Sequence, residues 1–150
     1  MTDRTMTDLK LLALDSEDLE VISATTQDAV VRVGDMGYAR ADRRFALLMN
    51  RFAWESGEAP SRGKTGIRKR AALHFDHVLA ARTQGFDANA TDGVLELLSI
   101  TFTETDSPSG TIELTFAGGG TVRLDVEALE ARMQDLGAAW AARATPGHAA

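Results

Sequence analysis

From Gly110 to Trp140 the chain reads as strand, glycine turn, strand and helix, and this run limits the fold more than any other stretch. Ile112, Leu114 and Phe116 alternate with Thr111, Glu113 and Thr115, the period of a strand with one buried face. Gly118-Gly119-Gly120 follows, three residues free to take the positive φ that a tight hairpin needs. Val122, Leu124 and Val126 then alternate with Thr121, Arg123 and Asp125. From Leu129 the period changes: Leu129, Met133, Leu136 and Trp140 step along one helical face, and the spacing predicts a C-terminal amphipathic helix. A hairpin with one apolar face, joined to such a helix, buries best when the helix folds onto a sheet or over a barrel mouth.

A chain of 150 residues is one domain on ordinary priors and buries about 68–70% of its unfolded surface. With 44% hydrophobic and 25% charged residues it has a globular composition. The expected organisation is a loose N-terminus over 1–8, a single globular domain over 9–143 with a polar basic loop at 55–70, and a frayed tail over 144–150. The absence of cysteine excludes disulfides, thiolate zinc sites and a cysteine nucleophile. Met1 to Lys10 has no apolar run of the signal-peptide kind, and no window approaches the roughly 20 apolar residues of a membrane span. A soluble, cytoplasmic protein is expected. A net charge of −6 argues against non-specific nucleic-acid binding by the whole surface, while a local basic patch keeps a local contact open.

Leu9, Leu11 and Leu12 open the structured part as a short strand. Asp15 is a good helix cap, with Glu17 and Asp18 in the favoured first turn and Leu14 and Leu19 spaced as a hydrophobic staple. Leu19 and Ile22 face the core of this short helix, which Gln27-Asp28 closes. Ala29 to Tyr38 and Arg44 to Trp54 then read as two strands joined by the polar turn Arg40 to Arg43. Phe45, Leu47 and Met49 share one face of the second. Beyond the 55–70 break, a long strand carries Leu73, Phe75, Leu79 and Ala81 on one parity, and Gly85 to Gly93 turns the chain. Val94 to Thr103 is another strand whose alternation slips, and a β-bulge near Leu97-Leu98 accounts for the slip. The sum is an α+β fold, mostly antiparallel β: a small meander barrel or bent sheet with a short N-terminal helix and a terminal helix packed on it. The order of the last half, strands and then a tryptophan-bearing helix, is similar to the pleckstrin-homology-like superfold, an analogy of pattern that carries no function.

Candidate chemistry is sparse. Arg62, Lys64, Arg68, Lys69 and Arg70 form a basic cluster in an acidic chain, the pattern of an anion site for nucleic acid, acidic head groups, a phosphorylated ligand or an acidic partner. A solvated charged loop produces the same pattern. Nothing aromatic lies between Arg62 and Arg70 to stack bases. Gly63-Lys64-Thr65-Gly66 contains the end of a phosphate-loop motif, but Glu58 stands where its first glycine belongs and a strand-like segment follows, so that reading fails. His74, Asp76 and His77 are metal-ligand types; His74 and Asp76 share a strand face, and no further ligand is named. His148 lies in the tail. No G-x-S-x-G elbow occurs and no serine has a base partner; Trp54 and Trp140 fit core anchors. Neither a metal nor a cofactor is expected.

Several stretches together resemble a family of small bacterial proteins described only as a domain of unknown function. They are Leu9-Lys10-Leu11-Leu12-Ala13-Leu14-Asp15, Gln27-Asp28-Ala29-Val30-Val31-Arg32-Val33-Gly34-Asp35, Arg44-Phe45-Ala46-Leu47 with Asn50-Arg51-Phe52, Leu73-His74-Phe75 and Leu114-Thr115-Phe116-Ala117-Gly118-Gly119-Gly120. The resemblance covers most of Leu9 to Trp140, leaves out residues 55–70 and the tail, and implies no activity or catalytic residue. The functional expectation is a non-catalytic binding or scaffold domain working through protein contacts, with the strand edges of an open barrel as one contact surface. Its competitors are anion binding through the basic loop and an enzyme whose acid–base groups meet only in the fold.

Overall fold

The glycine run closes a hairpin. Gly118 and Gly119 sit at φ of 89° and 98°, and the Phe116 N–H donates to the Gly120 carbonyl at 2.8 Å. Around this hairpin, the computed structural model describes residues 8–53 and 68–137. In chain order these form β1 (Lys10–Ala13), α1 (Ser16–Thr25), β2 (Val30–Arg32), β3 (Met36–Ala39), β4 (Arg44–Phe52) and β5 (Arg68–Phe75). Then follow β6 (Val78–Gln84), β7 (Val94–Glu104), β8 (Gly110–Phe116), β9 (Thr121–Val126) and β10 (Ala131–Asp135). Trp54 and Trp140, the Gly63–Gly66 motif and His148 lie outside the described residues.

All strand pairs are antiparallel and join in one ten-stranded sheet of order β1-β10-β5-β4-β2-β7-β8-β9-β6, with β3 added on β4. Among the described residues β3-β4-β5 and β7-β8-β9 are meanders, whereas β1 meets β10 from the far end of the described chain. The sheet is open: β1 and β6 end the path, each with one neighbour, so the barrel expected from short turns is not closed. Its inner face carries the core, with Phe75, Phe116, Leu73, Leu114, Leu124 and Met49 essentially without solvent contact.

The helix follows its local signals. Asp15 caps α1, its Oδ1 accepting from the Asp18 N–H at 2.8 Å, and Leu19 and Ile22 are buried. Leu14 is 59% exposed, so the expected staple does not bury its first member. Asp15→Ala leaves that N–H without its acceptor and is expected to lower stability by about 1 kcal/mol in urea denaturation; an unchanged midpoint would show that the helix holds without its cap.

The bulge is present: Leu97 pairs with Phe116, yet Ser99 already pairs with Thr115, so Leu97 and Ile100 both turn inward while Leu98 stays out. The strand expected from Ala29 to Tyr38 is broken by a 3-10 turn, Val33–Asp35, because the Val33 and Gly34 N–H groups are drawn off the ladder to Gly93 and Thr91 carbonyls. The long strand through Leu73 and Ala81 is two strands: His77 takes φ 60°, and this left-handed residue turns the chain from β10 towards β9. Parity shifts there, burying Val78 and exposing Leu79. Finally, the C-terminal helix expected from Leu129 is not formed where it should begin; residues 131–135 are β10. Ala131, Met133 and Asp135 point inward, and β10 fills the slot between β1 and β5, where a ladder on both sides pairs its backbone.

Candidate functional site

Among the described residues β3 pairs only with β4, and β6 only with β9, so each has one edge without a strand partner there. Two hydrogen bonds tie β6 to β3 and to the turn after it. The Tyr38 hydroxyl donates to the Val78 carbonyl at 2.6 Å and the Val78 N–H donates to the Arg43 carbonyl at 2.8 Å. Elsewhere no ladder joins the two strands. β3 has four residues between two 3-10 turns, and Arg43, left-handed at φ 52°, swings the chain into β4 before β3 can extend along β6.

The resulting seam holds a cleft of about 210 Å³. Met36, Gly37 and Tyr38 form one bank, Ala81 and Thr83 the other. Val33, Phe45 and Val122, nearly or wholly buried, make an apolar floor. Phe86 walls it and packs edge-on against Phe116, with ring centroids 6.2 Å apart. The charges nearby are taken up among themselves: Arg82 pairs with Asp125, and Asp35 lies 3.6 Å from Arg32 and 3.5 Å from Arg70. Two edges without ladder partners over an apolar floor can accept an extended segment, whose backbone would pair with the edges while its side chains enter the cleft.

The basic cluster is distributed otherwise than a loop would place it. Arg62 and Lys64 lie outside the described residues. Arg68, Lys69 and Arg70 are the first residues of β5, so the expected 55–70 loop ends before them. Alternation then separates the three. Arg68 stands 4.7 Å above the Phe52 ring and Arg70 lies 3.5 Å from Asp35, whereas Lys69 turns to the other side, 3.4 Å from Asp8 and 3.8 Å from Asp135. Of the metal-ligand types, His74 and Asp76 approach to 3.6 Å, while His77 turns away to Glu130 at 2.8 Å. That hydrogen bond, then the one from Arg132, holds the Glu130 carboxyl below its usual range. Among the described residues no group of three or more histidines and carboxylates could hold a metal ion.

A buried ion pair escaped the residue reading. Arg51 Nε and Nη2 donate to Asp135 Oδ1 and Oδ2 at 2.8 and 2.7 Å, with both side chains fully buried. The Leu9 N–H also donates to Oδ2, at 2.8 Å. Burial alone would raise the Asp135 pKa; the Arg51 and Leu9 hydrogen bonds and the Arg51 and Lys69 charges together hold it below the usual carboxylate range. The signal was present in β4, where Phe45, Leu47 and Met49 point inward and Arg51 is the next residue of the same parity.

A family model described as a protein of unknown function, DUF2948, matches residues 9–148, running through residues 55–70 and into the tail that the residue resemblance left out. No curated protein and no solved structure matches the chain.

Proposed function

Since the chain belongs to the DUF2948 family of proteins of unknown function, which brings no activity with it, we propose its role from the seam itself: a non-catalytic binding module that takes an extended segment of a partner protein between β3 and β6. The observation that carries this reading is the pair of unpartnered strand edges over one apolar floor. Exposed edges are ordinarily blunted by proline, lysine or extreme shortness. β1, the edge at one end of the path, has four residues and bears Lys10. β3 is as short as β1, but its bank and that of β6 carry no proline or lysine and present the small residues Gly37, Ala81 and Thr83 at the cleft. A segment added there would gain affinity from main-chain hydrogen bonds and specificity from every second side chain, so its chemistry is an extended strand with alternating apolar residues.

Gly37 supplies the test. A Cβ built on it meets no atom within 4 Å, so a larger residue enters open space at the bank of the cleft without disturbing the fold. Gly37→Ile favours the strand and obstructs the seam. Displayed random peptides selected on the native protein should converge on alternating apolar sequences, and G37I should bind them about tenfold or more weakly, a loss of about 1.4 kcal/mol, with no loss of thermal stability. No convergence, or equal binding by G37I, would sink the proposal.

A further inference from the structure

On the outer face of the sheet, away from the core, β1, β10 and β5 lay out two rows. Lys10, Gln134 and Ala72 are neighbours in one, and Leu12, Arg132 and His74 in the next. Ala72 ends at its Cβ, and a hollow of about 200 Å³ opens over these strands. Its polar lining is Lys10, Arg132, the His74 ring and the Gln134 amide, and among the described residues no carboxylate lines it, in a chain of net charge −6. Arg132 is held from one side by Glu130 at 3.0 Å. Lys10 is exposed and makes no ion pair among the described residues.

His74 is the unexplained group. Its Nδ1 is buried without a hydrogen-bond partner, and the Asp76 carboxylate stops 3.6 Å away. That distance is too long for a hydrogen bond. Burial, and then the Arg44 charge, lower the His74 pKa and keep the ring neutral. We propose that this hollow binds a small organic oxyanion between Lys10 and Arg132, with the His74 ring against it and the apolar part of the ligand over Leu12 and Ala72.

The occupant would change the charge on the ring. An anion beside the ring offsets the arginine charges that disfavour imidazolium, and the ring takes a second proton. Nε2–H then donates to the ligand, while the charged ring faces the Asp76 carboxylate across 3.6 Å as an ion pair. The charged groups facing the ring are Arg44 from β4, Asp76 at the end of β5, and Arg132 and Glu130 on the β10 side; the cations oppose this protonation and the carboxylates favour it. Because binding takes up a proton, affinity rises as pH falls.

The test uses inorganic sulfate and acetate, both fully ionised from pH 6 to 8, with chloride at equal ionic strength as reference. The His74 ring signals should shift saturably in NMR while those of His77 do not follow. Lys10→Gln, on an exposed side chain that leaves the fold intact, should weaken binding about tenfold, the scale of one charge-assisted hydrogen bond. Affinity at pH 6 should exceed that at pH 8 by about threefold or more. A preference for sulfate assigns a phosphoryl-type ligand and a preference for acetate a carboxylate; either supports the site. Shifts no larger than with chloride, or unaltered in K10Q, would overturn it, and pH-independent binding would overturn the role given to His74.

Discussion

Asp135→Ala is expected to lower the folding free energy by about 3–5 kcal/mol, because it strands the Arg51 guanidinium inside the protein without its carboxylate. The loss should appear as a lower urea midpoint with unchanged slope. Asp135→Leu combined with Arg51→Met should restore most of it, since apolar residues replacing both charges remove the desolvation cost together with the attraction. A single-mutant loss below about 1 kcal/mol would place the pair in water, where exposed ion pairs contribute that little. The pH dependence has a definite sign. The folded pKa of Asp135 lies below its ordinary value of 3.8, so the pair's contribution is complete above that value and disappears as pH falls through the folded pKa. The native protein should therefore lose stability in acid faster than the double variant.

This pair does more than add or subtract free energy. Arg51 is on β4 and Asp135 on β10, with β5 between them, and the Leu9 N–H bonded to Asp135 leads directly into β1. One carboxylate thus ties four neighbouring strands at the place where β1 meets β10. If β10 slipped by one residue, Asp135 would move to the outer face and leave the buried Arg51 without this carboxylate. The ion pair penalises that slip whatever its net contribution in the correct register, which is a reason to find two fully buried charges on the core face.

What could be read from the chain was what short-range physics decides. The α1 cap, the burial of Leu19 and Ile22 and the glycine hairpin each depend on residues within a few positions of one another. The bulge at Leu97 was legible because both faces of one strand leave their trace in the same short string. By contrast, the β1–β10 pairing joins Lys10 to Gln134, and no local pattern announces a partner so far along the chain. His77 was read as a strand residue because nothing in its neighbourhood signals a left-handed turn. The seam was legible only as the general prospect of open edges. Its banks, Gly37 and Ala81 among them, are small residues that acquire meaning only when β3 and β6 face each other. Arg51 shares the parity of Phe45, Leu47 and Met49, but nothing local names a partner for a buried arginine, and that partner lies on a strand whose spacing reads as a helix.

Ala131 separates those two readings of the terminal segment. Leu129 and Met133 are buried in either one, so truncating them discriminates nothing. On a helix with Leu129, Met133 and Leu136 inward, position 131 lies about 200° round from 129, facing solvent. In β10 it is fully buried, paired with Ala13 on β1 and Phe75 on β5, both also without exposure. Ala131→Asp is therefore expected to cost about 3–5 kcal/mol, the penalty of an uncompensated charge in the core. Gln134→Asp, one position from the inward Met133 and Asp135 but on the outer face, should cost within about 0.5 kcal/mol and serves as the control for added charge. Urea denaturation of both variants decides the matter. Equal, small losses would remove β10 from between β1 and β5, and with it the row arrangement that places Arg132 beside His74. A large loss confined to Ala131 fixes the strand, and the outer-face hollow then has the three-stranded base that its ligand requires.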